Sequence, residues 1–265
     1  RSVALACVES GKALPLASCH SAVGDPRLRA FVSAGSQGTI AVGRPHIPEW
    51  LDNDKAIPGF TPWIVDGLPQ HVTITDADPT HLYATLPVRQ QIARIDIFTG
   101  KTDTVASLPF SPGAMAIHNG QARIYLADPA GGSLWWLPID GFGSVSPTQV
   151  LVQGHSGLEP IGGSPNSLAH VDLEHIDKDG KAYAANYLFV GHVDHGHVTV
   201  LRSTDLKLLK RLPIGAQCAD GIDNDGDGVT DRHDSGCDDR EDPFEGDPEL
   251  GALCNDNIDN DGDGK

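Results

Sequence analysis

Residues 122–140 read ARIYLADPAGGSLWWLPID, two apolar strands joined by a turn of Asp, Pro, Ala and Gly. Apolar runs of this length, bounded by turn-forming residues, are typical of β-hairpins. Three other segments have the same order of apolar-aromatic strand, polar turn and alternating strand: Leu28–Arg44, His81–Thr99 and Asn186–Arg202. The repetition of one hairpin unit indicates that most of the chain is all-β.

The spacing of the hairpins predicts the architecture. Their aligned aromatic residues lie 52, 42 and 64 residues apart, at Phe31, Tyr83, Tyr125 and Phe189. β-Strand units that repeat about every 40–50 residues are typical of β-propeller blades. Further strands are predicted before three hairpins and after three, at Gln70–Thr75, Ala114–His118, Ser167–Leu173, Thr102–Ser107, Gln149–Gln153 and Leu206–Leu212. Each unit then has four strands, as a propeller blade does.

The hairpin pattern resembles the YVTN-like, surface-layer type of bacterial β-propeller, whose blades read aromatic-Val-x-Asn-x-x-x-(Gly/Asn)-x-Val-x-Val-Ile-Asp. The resemblance covers residues 28–213 and implies a propeller-like domain of about four blades in residues 1–215. Propellers close with roughly four to eight blades. Two arrangements therefore stay open. One is a ring of few blades within this chain, and the other is a longer ring whose further blades follow residue 265.

A second informative stretch, residues 218–237, reads CADGIDNDGDGVTDRHDSGC. Its acidic residues fit the register of a calcium-binding loop, in which Gly228 stands at the sharp turn. Position 12 is Asp instead of the usual Glu, and the flanks lack helical periodicity, so we do not expect an EF-hand. The predicted oxygen ligands are Asp223, Asp225, Asp227, the carbonyl of Val229, Asp231 and Asp234.

The D-N-D-G-D-G core resembles thrombospondin type 3 and related bacterial Asp-rich repeats. The resemblance covers residues 216–265 and implies a calcium-stabilised, extracellular module with a Cys218–Cys237 disulfide. A second copy begins at Cys254, and we expect it to continue beyond residue 265, with the repeats inserted between blades of a longer chain. The candidate ligands of the second copy are Asp259, Asp261 and Asp263. Asp220 and Asp256, which precede the cores of the first and second copies, are further candidate ligands.

Charge and cysteine content narrow the classes of function. The net charge is −17, and residues 216–265 hold 17 acidic and 3 basic residues. Without a basic patch to neutralise phosphates, nucleic acid is not an expected partner. The sequence has no apolar run of 18 or more residues, the length that would predict a membrane span. Cys7 and Cys19 are close enough in sequence for a disulfide, which together with calcium loops predicts an extracellular or cell-surface location.

Histidines form a further candidate metal site. His192, Asp194, His195 and His197 lie within six residues, and imidazole and carboxylate groups bind zinc or copper. The alternative is a polar hairpin turn, with His195 in the turn and His192 and His197 on opposite strands.

Three functions stay open from the sequence. The first is a calcium-binding structural or interaction protein, whose partner is a protein or a surface polysaccharide. The second is a propeller enzyme, lactonase-like or an oxidoreductase, with Asn166, His170 and His118 as candidates on predicted inner strands. The third is a homopolymeric filament bridged by calcium, for which the acidic residues after the first loop supply ligands: Asp238, Asp239, Glu241 and Asp242.

Overall fold

The computed structural model describes residues 2–19, 25–47, 49–153, 158–176, 182–193 and 197–213. Within these ranges the regular structure consists of antiparallel β-strands and short 3₁₀ turns, without an α-helix. No helix in these ranges is long and apolar enough to cross a membrane. The all-β prediction is confirmed for this part of the chain.

Four sheets follow one another along the chain. The first has the order β2-β1-β3-β4-β5, with β6 paired to β4, and contains β1 (Val3–Glu9), β2 (Lys12–Leu14), β3 (Leu28–Ala34), β4 (Thr39–Arg44), β5 (Glu49–Leu51) and β6 (Trp63–Ile64). The second has the order β10-β9-β8-β7, from β7 (Val72–Thr75), β8 (Asp78–Leu86), β9 (Gln91–Asp96) and β10 (Thr102–Ser107). The third runs in chain order through β11 (Met115–His118), β12 (Arg123–Asp128), β13 (Ser133–Pro138) and β14 (Thr148–Val150).

The short strands β15 (Val152–Gln153) and β16 (Leu158–Glu159) pair with each other. The fourth sheet also runs in chain order, through β17 (Pro165–Ile176), β18 (Ala182–His192), β19 (His197–Arg202) and β20 (Lys207–Pro213). The four predicted hairpins are thus β3–β4, β8–β9, β12–β13 and β18–β19. Strand β17 is longer than predicted because it pairs with β18 along its whole length, from Pro165 opposite His192 to Ile176 opposite Ala182.

The first sheet contains a hairpin that is not among the four predicted ones. Strands β1 and β2 pair across Ser10 and Gly11, whose φ angles of 51° and 76° are both positive. Two successive residues with positive φ form the two-residue turn that suits a β-hairpin. Cys7 therefore lies on a strand, where it forms the predicted disulfide with Cys19.

The second and third sheets are buried on both faces, because successive residues of a strand point to opposite sides. On β12, Ile124 and Leu126 pack with side chains of the second sheet, whereas Tyr125 packs with those of the fourth. The first and second sheets share a third apolar cluster, which includes Phe31, Ile40 and Leu82. The first strands of consecutive sheets are also in contact: β1 with β7, β7 with β11, and β11 with β17. This arrangement is propeller-like, and β1, β7, β11 and β17 are called the inner strands below.

Candidate metal centre

A group of three potential metal ligands lies where two inner strands meet. His118 is the last residue of β11, and His170 and Asp172 lie on β17. Residues two apart on a strand share a face, so His170 and Asp172 point to the same side. Because β11 contacts β17, these side chains are brought next to His118.

The three side chains are close and differ in exposure. The rings of His118 and His170 are stacked, with centroids 4.2 Å apart and planes inclined by 26°. Oδ1 of Asp172 is 3.6 Å from Nε2 of His170. One ligand atom from each residue lies within 4.8 Å of the other two. Both imidazoles are buried, whereas the side chain of Asp172 is 51% exposed and gives the group its solvent side.

Ser203, in the turn after β19, holds His170 in position. Its Oγ lies 3.0 Å from Nε2 of His170. The backbone of Ser203 is fixed in turn, since its N–H donates to the carbonyl of Asn186 and its carbonyl accepts from the hydroxyl of Tyr125, both at 2.9 Å. These two hydrogen bonds fix the Ser203 hydroxyl beside His170, and the bond to Tyr125 also connects the third sheet to the fourth.

The turn after His118 is anchored on both sides. Oδ1 of Asn119 accepts hydrogen bonds from the hydroxyl of Thr75 at 2.6 Å and from the backbone N–H of Asp76 at 3.1 Å. The amide of Gln121 donates to the carbonyl of Thr204 at 3.2 Å. Hydrogen bonds to the second and fourth sheets thus hold the turn after His118 in place, and with it the position of His118.

The buried imidazoles favour the neutral form. Burial lowers the pKa of His118, with Asp172 opposing this change and Arg123 adding to it. Burial also lowers the pKa of His170, and His118 lowers it further against the opposing effect of Asp172. Burial acts in this direction because the low-dielectric interior disfavours the imidazolium. At neutral pH both rings therefore keep a nitrogen lone pair, which a metal ion requires.

The imidazole of His118 makes no hydrogen bond with the described part of the chain. Both of its ring nitrogens are buried, and neither has a hydrogen-bond partner there. A buried polar atom without a partner costs roughly 1–3 kcal/mol, so such atoms are uncommon and point to a missing ligand, ion or water.

The group is not arranged as a nucleophilic Ser-His-Asp triad. In a triad the serine and the carboxylate approach different nitrogens of the histidine. Here Ser203 and Asp172 both approach Nε2 of His170. Ser203 is also completely buried, so a substrate has no direct access to its hydroxyl. The chemistry that fits the arrangement is coordination by two imidazoles and one carboxylate.

Part of this group is predictable from the sequence. The candidates His118 and His170 lie together, as their places on inner strands suggested. Asn166 does not join them, because it lies four residues before His170 on β17, about 13 Å away along an extended strand. Asp172 is not among the predicted candidates, although its spacing of two from His170 is a signal that the sequence contains. Ser203 had no such signal, because its proximity depends on the pairing of β18 with β19.

The second histidine cluster is described only in part. His192 ends β18 and His197 begins β19, with ring centroids 5.1 Å apart. Nε2 of His192 lies 2.9 Å from the hydroxyl of Thr199. Asp194 and His195 are outside the described residues, so this predicted site stays a prediction. The calcium-loop residues and the predicted Cys218–Cys237 disulfide also lie outside the described part of the chain.

No protein-family model matches this sequence, and no curated protein sequence matches it. Among solved structures, the chain is similar to hydrazine synthase of Kuenenia stuttgartiensis, with a TM-score of 0.50 and 11% identity over 80% of this chain and 48% of that chain. This chain therefore spans about half the length of its counterpart, and at this identity the likeness concerns the fold alone.

Two further likenesses have TM-scores below 0.5 and are too weak to bear on the fold. One is to a functionally unknown protein from Desulfotomaculum acetoxidans, with a TM-score of 0.43 and 12% identity over 69% of this chain and 65% of that chain. The other is to the Pan2 WD40 domain of Neurospora crassa, with a TM-score of 0.47 and 9% identity over 81% of this chain and 54% of that chain.

Proposed function

We propose that this chain is a secreted or cell-surface calcium-binding protein, with the propeller-like body as a binding scaffold and residues 216–265 as a calcium-ordered spacer or contact. One observation carries the proposal: residues 223–234 fill each ligand position of a calcium loop, and the same core restarts at Asp259. Carboxylates crowded at this spacing repel one another unless a cation neutralises them. Calcium suits them because it takes about six to eight oxygen ligands.

The distribution of charge supports two separate modules. Residues 216–265 hold 17 of the 36 acidic residues and 3 of the 19 basic ones, so the rest of the chain is nearly neutral. The described body contains three apolar clusters of its own. A body with its own core does not need the acidic segment to bury apolar surface, which leaves that segment available for calcium and for a partner.

A cleft in the body supports a role as a scaffold. It has a volume of about 370 Å³ and lies beside the first and second sheets. Its lining combines the aromatic rings of Trp63 and Phe98 with the polar side chains of Arg29, Asp52 and Asn53. Apolar walls with a few polar groups are typical of ligand sites, and this mixture suits a sugar ring or an extended peptide.

Calcium titration of the full chain tests the proposal. We expect calcium to protect residues 216–265 from protease, with half-maximal protection at about 10⁻⁴–10⁻³ M, the range of extracellular calcium modules. The double variant Asp225→Ala and Asp261→Ala removes a central ligand from each copy and should lose this protection. Asp140→Ala, an exposed carboxylate of the body, serves as the matched control and should behave like the unmodified chain.

Equal cleavage of residues 216–265 with calcium and with a chelator would contradict the proposal. Sedimentation in the same two conditions separates the spacer from the filament alternative. A spacer keeps one sedimentation coefficient, whereas a calcium-bridged polymer sediments faster with calcium and dissociates when the chelator is added.

A second candidate function is catalysis on the inner strands, as a lactonase-like hydrolase or an oxidoreductase. The observation that favours it is the juxtaposition of His118, His170 and the half-exposed Asp172. A panel of aliphatic lactones, assayed with added zinc or copper, tests the hydrolytic form. We expect Asp172→Asn to lower any turnover at least tenfold, and turnover that is unchanged in this variant would place the activity elsewhere.

A further inference from the structure

We propose that His118, His170 and Asp172 bind a borderline divalent transition-metal ion, such as zinc or copper(II), at a site distinct from the calcium loops. The proposal concerns the described body and does not depend on the function proposed for residues 216–265.

The geometry needs only small side-chain movements. Ligand atoms about 2.1 Å from a tetrahedral ion are about 3.4 Å from one another. The three candidate atoms already lie within 4.8 Å. Movement of the Asp172 side chain can bring the ligand atoms most of the remaining distance together, because this side chain is half exposed and its Oδ1 is already 3.6 Å from Nε2 of His170.

His118 supplies an independent observation. It is 2% exposed, and neither ring nitrogen has a hydrogen-bond partner in the described residues. A metal–nitrogen bond would give one of these nitrogens a partner and remove the free-energy cost of burying it without one. The nitrogen lone pairs of the stacked rings lie in two nearly parallel planes, so one ring must turn about its Cβ–Cγ bond for both lone pairs to meet at one ion. No hydrogen bond to the described chain holds His118 against such a turn.

An ion that binds His170 would replace the hydrogen bond between His170 and Ser203. The Ser203 hydroxyl lies 3.0 Å from the nitrogen that faces Asp172, and the ion would take over that nitrogen. The hydrogen bond given up is weak beside the coordination of an ion by three ligands. Three protein ligands leave a fourth position open to water or to a small ligand on the exposed side of Asp172.

The ligand set distinguishes this site from the calcium loops. Two neutral imidazoles and one carboxylate suit zinc, copper and similar ions, whereas calcium prefers oxygen ligands throughout. Calcium and the transition metal are therefore expected to bind independently. Saturating the chain with calcium before adding zinc or copper isolates the second site.

Isothermal titration of the metal-free full chain with zinc, in saturating calcium, tests the proposal. Copper(II) then reports on the ligands, because its electron paramagnetic resonance spectrum shows coupling to nitrogen. We expect copper bound by two imidazole nitrogens. Asp172→Asn, an isosteric change at a half-exposed position, should weaken zinc binding at least tenfold. His118→Ala should weaken it further and remove one nitrogen coupling.

His195→Ala is the matched control from the other histidine cluster and should leave zinc affinity and the copper spectrum unchanged. Zinc binding that persists in Asp172→Asn and His118→Ala but is lost in His195→Ala would overturn the proposal. Absence of stoichiometric zinc binding would overturn it as well. Both results leave the calcium proposal untouched, because its readout is protease protection of residues 216–265.

Discussion

At the scale of single residues, Gln90 carries backbone strain that a substitution can relieve. It ends the 3₁₀ turn Pro87–Arg89 in the left-handed region, with φ of 53°. The corresponding residue after the turn Gly35–Gln37 is Gly38, also left-handed. A residue with a Cβ pays roughly 1–2 kcal/mol in this conformation, whereas glycine does not.

Gln90→Gly is therefore expected to stabilise the chain. Part of the relief is offset by the greater freedom of glycine in the unfolded chain, which leaves about 0.5–1 kcal/mol. The gain should raise the melting temperature by about 2–3 °C in thermal unfolding. Gln91→Gly is the matched control, because Gln91 lies on strand β9 and glycine there should destabilise. A lower melting temperature for Gln90→Gly would contradict the claim that the left-handed backbone of Gln90 is strained.

Asp78 makes stability depend on pH. Its carboxylate accepts hydrogen bonds from Tyr83 at 2.7 Å, His81 at 2.8 Å and Thr80 at 3.0 Å. Burial opposes ionisation, but these hydrogen bonds outweigh it and lower the pKa of Asp78. A carboxyl whose folded pKa is lowered stabilises the fold above its unfolded pKa, near 4, and loses this contribution as the pH falls further.

Asp78→Asn should thus cost about 2 kcal/mol at pH 7, as expected for hydrogen bonds to a charged group. The difference in melting temperature between the variant and the unmodified chain should shrink as the pH falls from 7 to 3. Asp140→Asn, at an exposed position, should show no pH-dependent difference. A deficit of constant size at all pH values would mean that the charge of Asp78 contributes nothing.

At the scale of elements, what the sequence predicts well is local. Alternating apolar residues and turn chemistry within one stretch of chain located the four hairpins, and the place of a strand ahead of its hairpin identified β11 and β17 as inner strands. The contact of these strands is not local, because it depends on how two sheets pack. His118 and His170 were therefore predictable as candidates, whereas the stacking of their rings and the approach of Ser203 were not.

Tyr125 connects the third and fourth sheets at this point. Its hydroxyl donates to the carbonyl of Ser203 at 2.9 Å, and both residues are completely buried. Tyr125→Phe leaves that carbonyl without this donor, so we expect a loss of about 1–2 kcal/mol in denaturant unfolding. Tyr187→Phe is the matched control, since the hydroxyl of Tyr187 has no hydrogen bond to the described residues, and it should cost less than about 0.5 kcal/mol. Equal losses in both variants would exclude a role for the Tyr125 hydroxyl.

At the scale of the whole molecule, the two proposed metal sites belong to different parts of the chain. All four tryptophans, Trp50, Trp63, Trp135 and Trp136, lie in the body. Tryptophan fluorescence therefore follows unfolding of the body and does not report on residues 216–265. A ligand that binds only the folded body raises its stability by mass action, by about 2.7 kcal/mol at 100 times the dissociation constant.

The two metals should consequently differ in their effect on unfolding followed by tryptophan fluorescence. Zinc, bound between β11 and β17, is expected to raise the melting temperature by about 5 °C or more at 100 times its dissociation constant. Calcium at the same multiple should move it by less than about 1 °C, because the proposed calcium loops belong to a separate module in residues 216–265. In Asp172→Asn the zinc effect should shrink at equal zinc concentration, while the calcium response stays near zero. A calcium-dependent rise in the melting temperature would show that residues 216–265 are energetically coupled to the body, and the two-module architecture would have to be abandoned.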